Sequence, residues 1–343
     1  MSSPQPKGNN AINIQPKAVR RAVIDLGTVS ARLMIADTNQ LRAMPLLKKT
    51  TITQLGKNLT RTGRLSAESL EATAAAIDSF IEIMARYGLS PSESRGQIVA
   101  IATSASRDAS NSDELEAILE SREIPLRIIS GQTEARLSFA GASCGLDDES
   151  LLVFDIGGGS TEVVVGAPYR MGESPADFPL RSISFDVGCR RMTDIFFSGE
   201  RQSADELERA KAWAREQFET FFEPGERRPE HLVGVAGTVT SIVSMAQRMI
   251  EYDPSRVDGA TVDRATAERL LSELSGMTQS EREHFVGLQP KRAGVIVAGI
   301  AILIALFGAP DLAWAGIADD INKWLAENPD DPDDDDFYGG DKE

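Results

Sequence analysis

LLVFDIGGGSTE, residues 151–162, is an apolar run that meets one aspartate, three glycines and then Ser160, Thr161 and Glu162. Glycine-rich phosphate loops commonly open a helix, but here the chain continues as EVVVG, a β-branched run. That continuation excludes the Walker and dinucleotide loops, which need a helix after the glycines. The stretch instead predicts a β-hairpin whose glycine tip lets backbone N–H groups converge on an anion with no side chain in the way. An ordinary glycine hairpin is the plainer alternative.

The same design occurs earlier. VIDLGTVSARLMIA, 23–36, lines up without gaps on VFDIGGGSTEVVVG, 153–166, so that Asp25 falls on Asp155, Gly27 on Gly157 and Ser30 on Ser160. A plain hairpin turn has no need of an acid just before it, twice over. The segments between and after the hairpins alternate. SAESLEATAAAIDSFIEIMARYG reads as an amphipathic helix stopped by Gly88, QIVAIAT (97–103) as a strand, NSDELEAILESRE as a helix capped by Asn111 with Glu114, and IPLRIIS (124–130) as a strand. The second half repeats the scheme: the hairpin, a strand near RSISFDVG, a helix from Ser203 with a Ser203/Glu206 capping box, a strand at HLVGVAG and an apolar helix near 293. The expected fold is α/β, two duplicated lobes facing each other across a cleft.

At 343 residues and 41% hydrophobic content the chain can bury two cores. The polar opening, 1–17, lacks the apolar core of a secretory signal and reads as a disordered leader. Residues 327–343 carry nine acids and one lysine, a local charge of −8 out of −16 for the chain, so 328–343 reads as a solvated, disordered tail. The balance argues against nucleic-acid binding. AGVIVAGIAILIALFGA (293–309) has no charge, yet its seventeen residues are the short end of a bilayer span, and a buried helix rather than membrane insertion is expected. Two cysteines, Cys144 and Cys189, without metal-ligand spacing, fit reduced thiols in a cytoplasmic protein.

Twin acid-glycine hairpins in two lobes resemble the actin and hexokinase superfamily, with its ribonuclease H-like, actin-like ATPase lobes. TSASRDASN (103–111), ISGQTEARL (129–137), DIGGGSTE (155–162) and, more loosely, DVGCRRMT (186–193) and VAGTVTS (235–241) are similar to the ordered blocks of the exopolyphosphatase and guanosine pentaphosphate phosphatase family. The resemblance runs from about residue 20 to 320 and is to the short, two-domain form. It implies lobe I at 18–132 plus about 313–327, and lobe II at 133–312.

Phosphoanhydride hydrolysis needs donors around the terminal phosphoryl group, a divalent metal or cations to spread its charge, and a carboxylate to deprotonate water. The resemblance implies Glu134 as that general base; by itself it is an acid at a helix start. Asp155 is the expected ligand of Mg²⁺ or another divalent cation. Glu162 would position water or metal, or else face solvent. Asp25, Gly27, Thr28 and Ser30 from the first hairpin, and Gly157, Gly158, Gly159, Ser160 and Thr161 from the second, are expected around phosphate. Arg107 and Arg191 are the cations, with a structural salt bridge as the alternative for Arg107. Lys48, Lys49, Lys57, Arg61 and Arg64 form a basic stretch that leads a polyanion to the cleft or is simply solvated.

Departures from the family pattern are Gly27-Thr28-Val29-Ser30 in place of Gly-Ser-Asn-Ser, Thr133 in place of a glutamate, Gly294 inside an Arg-Ala-Asp-Val-Ile block, and Ala318 where many members have arginine. The expected partner is inorganic polyphosphate or a guanosine penta- or tetraphosphate, with a homodimer as the oligomer to consider. The competing readings are an ATP-dependent kinase or ATPase on the same fold, and a non-catalytic polyphosphate or alarmone sensor.

Overall fold

The computed structural model describes residues 18–39, 43–143, 146, 150–170, 180–222, 229 and 231–308. The leader, the acidic tail, the segment about 313–327, Cys144 and Ala318 lie outside the described residues.

The first sheet contains β1 (Val19–Leu26), β2 (Ser30–Thr38), β3 (Ala43–Ile52), β4 (Ile98–Ala102) and β5 (Leu126–Ile128), in the order β3-β2-β1-β4-β5. β1 to β3 are antiparallel neighbours, while β4 and β5 run parallel to β1. The second sheet contains β6 (Leu151–Ile156), β7 (Thr161–Gly166), β8 (Arg181–Phe185) and β9 (His231–Val235), in the order β8-β7-β6-β9. β6 to β8 are antiparallel and β9 is parallel to β6. Four strands of each sheet thus follow one path, the duplication that the twin hairpins imply.

Local chemistry explains the elements. The helix Ala67–Arg86 starts where Ser66 accepts a hydrogen bond from the Ser69 amide, and beyond its end Gly88 takes φ +72°. Helix Ala204–Glu219 carries the full Ser203/Glu206 capping box. The Asn111 cap is a correction. Asn111 stands at the N-cap, but its side chain makes no cap bond; it binds both backbone groups of Leu65 and the Glu114 carboxylate. Tying two distant backbone segments together satisfies a buried amide better than a local cap.

The apolar run forms the helix Ile296–Gly308, buried from Ile296 to Phe307. It packs between helices Ala204–Glu219 and Arg264–Ser275, and Phe307 meets Phe154 of β6 edge to face at 5.7 Å between ring centroids. Among the described residues no helix is long and apolar enough to cross a membrane.

Candidate active site

Each hairpin closes with the same backbone bond. The Gly27 amide donates to Ser30 O at 3.0 Å, and the Gly157 amide to Ser160 O at 3.0 Å. At the tips, the amides of Thr28, Val29, Gly158 and Gly159 have no hydrogen-bond acceptor among the described residues. Four buried or half-buried donors without acceptors are a standing demand for an anion.

The tips touch across the cleft, which fixes where glycine is required. A Cβ on Gly158 would come 2.6 Å from Thr28 Cβ, and one on Gly159 would come 2.3 Å from Ser104 Oγ. A Cβ on Gly188 would lie 2.4 Å from Gly158 O, so the chain running under the second hairpin must also be bare there.

A cavity of about 130 Å³ lies between the lobes. Its walls include Asp25, Gly27, Thr28 and Ser30 from one side, Asp155, Gly157, Gly158, Gly159 and Ser160 from the other, and Glu134. These sequence-chosen residues therefore meet. Glu134 enters from the first turn of helix Gly131–Ser143, and Arg107 Nη1 donates to its Oε2 at 2.9 Å and to Ile129 O at 2.8 Å.

Arg107, Glu162, Thr161 and Arg191 do not line this cavity. Arg107 acts on Glu134 instead of standing free. Thr161 is fully buried and its hydroxyl donates to Val187 O, because strand alternation turns it to the face opposite Glu162. Arg191 is drawn to Asp108 of the other lobe and to Gly159 O at 2.8 Å, so it holds the lobes and the hairpin together. Glu162 is 1% exposed, not solvated, because helix Gly131–Ser143 covers that face of the sheet.

The acids repel one another in a dry place. Burial raises Glu134, with Asp155 and Asp25 adding to the effect and Arg107 opposing it. Burial likewise raises Asp25 and Asp155, each opposed by Arg32. Glu162 is pushed up to about 8 by burial and by the charges of Glu134 and Asp155. Arg107 opposes that rise at Glu134, whereas no cation is among the groups acting on Glu162.

Asp25 and Asp155 offer hard oxygen donors at the cavity wall. Among the described residues no three acidic, histidine or cysteine groups form a ready metal cage. Such a donor set fits Mg²⁺, which keeps water and substrate phosphate among its ligands, better than a fully protein-held ion.

Two cavity arginines were missed by sequence reasoning. Arg32 faces Asp25 in the hairpin register, its Nη1 3.6 Å from Asp25 Oδ2. Arg292 is half-buried against Gly237, its guanidinium in the space a Cβ there would fill, and it has no carboxylate partner among the described residues. Burial and the neighbouring Arg32 hold its pKa below the usual arginine value. The signal was present: Arg292 opens the same block in which Gly294 was noted as a departure.

The Ppx/GppA phosphatase family model matches residues 34–311. A protein from Mycobacterium tuberculosis named Exopolyphosphatase 2 is 32% identical over 301 residues, 83% of this chain and 88% of its own length. A Bifunctional 3-dehydroquinate synthase/phosphatase from Fusobacterium nucleatum is 30% identical over 296 residues, 82% of this chain but only 42% of that longer protein. Among solved structures, an exopolyphosphatase-like protein superposes with TM-score 0.75 at 28% identity, covering 88% of this chain and 92% of that one. The Aquifex aeolicus member of the Ppx/GppA family gives 0.65 at 26%, covering 85% and 90%. The chain belongs to the Ppx/GppA phosphatase family and has the actin-like ATPase fold.

Proposed function

We propose that the chain is a phosphoanhydride hydrolase that releases terminal orthophosphate from inorganic polyphosphate. The observation that carries this reading is Glu134, held by Arg107 at the wall of a cavity formed by two hairpins whose tip amides lack acceptors. The terminal phosphoryl group sits between the hairpins. Their amides, with Arg32 and Arg292, take up the negative charge that develops on its oxygens.

Glu134 accepts the proton of a water that attacks the terminal phosphorus. The new P–O bond forms as the bridging P–O bond breaks, and the shortened chain leaves with the electron pair. Arg107 orients the Glu134 carboxylate and opposes the rise in its pKa, while burial makes it more basic. Mg²⁺ held by Asp155 and Asp25 would supply charge neutralisation on the phosphate oxygens.

Guanosine pentaphosphate presents the same terminal phosphoanhydride and is the second substrate to test. Release of orthophosphate is measured on short polyphosphate, long polyphosphate, guanosine pentaphosphate and ATP in parallel, with and without Mg²⁺. Polyphosphate turnover that depends on Mg²⁺ is expected. Preferential turnover of ATP would favour the kinase or ATPase reading, and tight binding with no turnover would favour a sensor.

A further inference from the structure

Three register-paired residues cross the second sheet in one row: Asp155 on β6, Glu162 on β7 and Ser184 on β8. Helix Gly131–Ser143 lies over them and packs on all three strands. Its residues Gly131, Glu134 and Ser138, spaced three and four apart, share one helical face. Ser138 Oγ donates to Asp155 Oδ2 at 3.1 Å at one end of the row. At the other end, a Cβ on Gly131 would come 2.5 Å from both Cβ and Oγ of Ser184. Glu134 stands between these two contacts, and its charge is felt by Glu162.

From this arrangement we infer that Ser184 is a positioning residue that fixes the Glu162 carboxyl behind Glu134. Its hydroxyl donates to Glu162 Oε1 at 2.7 Å. The other groups facing Glu162 are Ser160, which also hydrogen-bonds it, and the acids Asp155 and Glu134, which repel it. Arg107 is engaged by Glu134 and Ile129 O, and among the described residues no cation pairs with Glu162. Without Ser184 the Glu162 carboxyl loses the hydrogen bond on its β8 side and is free to turn, disturbing the base it abuts. Gly131 is bare because Ser184 occupies the space of its side chain.

The inference rests on the hydrolase reading above, and a kinetic cycle tests it on the full chain with polyphosphate and Mg²⁺. Ser184→Ala is expected to lower kcat by about tenfold, the scale of one hydrogen bond to an ionisable group, with KM within about twofold of the wild type. Ser184→Thr, which keeps the hydroxyl, is expected to recover kcat to within about threefold. In a Glu162→Ala background the same Ser184→Ala change should add less than about twofold, because the group that Ser184 holds is gone. An unchanged kcat in Ser184→Ala, or an equal loss in both backgrounds, overturns the inference while leaving the hydrolase reading intact. A wild type that releases no phosphate overturns both.

Discussion

The two hairpins share a backbone and differ most at one register position. Opposite Asp25 the first hairpin places Arg32; opposite Asp155 the second places Glu162. Arg32 offsets both aspartates, and only Asp155 faces a second acid across its hairpin. Their tips differ as well. Gly158 and Gly159 of the second are bare, whereas Val29 of the first is 5% exposed and packs into the apolar cluster that contains Phe154 and Ile156 of the other lobe. The duplicated frame thus carries two chemistries: the first hairpin brings a cation and packs against the other lobe, and the second, with helix Gly131–Ser143, gathers acids.

The largest expected effect on this contrast is at Glu162. Its folded pKa of about 8 lies above its ordinary value of 4.5. The folded state therefore holds a proton more tightly than the unfolded chain. The stability this confers is full below about pH 4.5 and is lost as pH rises through about 8. At about 1.4 kcal/mol per pKa unit the loss amounts to several kcal/mol. Glu162→Gln, a neutral mimic, should flatten the fall in Tm between pH 5 and 9 seen in the wild type. Equal slopes in the two proteins would mean that the carboxyl is already ionised at neutral pH and that the hairpins do not differ in proton handling.

Next is Arg292. Removing a charge-assisted bond to phosphate costs about 1.5–3 kcal/mol. Arg292→Gln should therefore raise KM for polyphosphate by at least about tenfold with a smaller change in kcat. An effect on kcat alone would place Arg292 with the acids rather than with binding.

The smallest effect is at the first tip. Val29→Asn gives up the burial of a valine, which is worth about 1.5–3 kcal/mol at most, and adds a donor near phosphate. A Tm a few degrees lower together with a KM lowered a few-fold is expected. An unchanged Tm would mean that Val29 does not join the lobes.

The twin hairpins, the alternation of elements and the buried apolar helix were all legible, because each is set by local pattern and glycine chemistry. The roles of several side chains were not. For Arg107 and Arg191 sequence shows a cation but not its nearest acid, because Glu134 and Asp108 arrive from elsewhere in the chain. Thr161 was within reach of sequence reasoning: in a strand it must face away from Glu162. The burial of Glu162 was not, since it depends on a helix crossing the sheet face. Arg292 was legible only through the block it opens, two residues before Gly294, because nothing local shows that the fold brings its guanidinium to Gly237.

The central claim is that Glu134 is the general base for phosphate held between the hairpins. The direct test is the rate of orthophosphate release from polyphosphate by Glu134→Gln and wild type at saturating substrate and fixed Mg²⁺, with polyphosphate binding measured alongside. With the base removed, the rate is expected to fall by about 10²–10⁴-fold with binding retained. Turnover at the wild-type rate would contradict it.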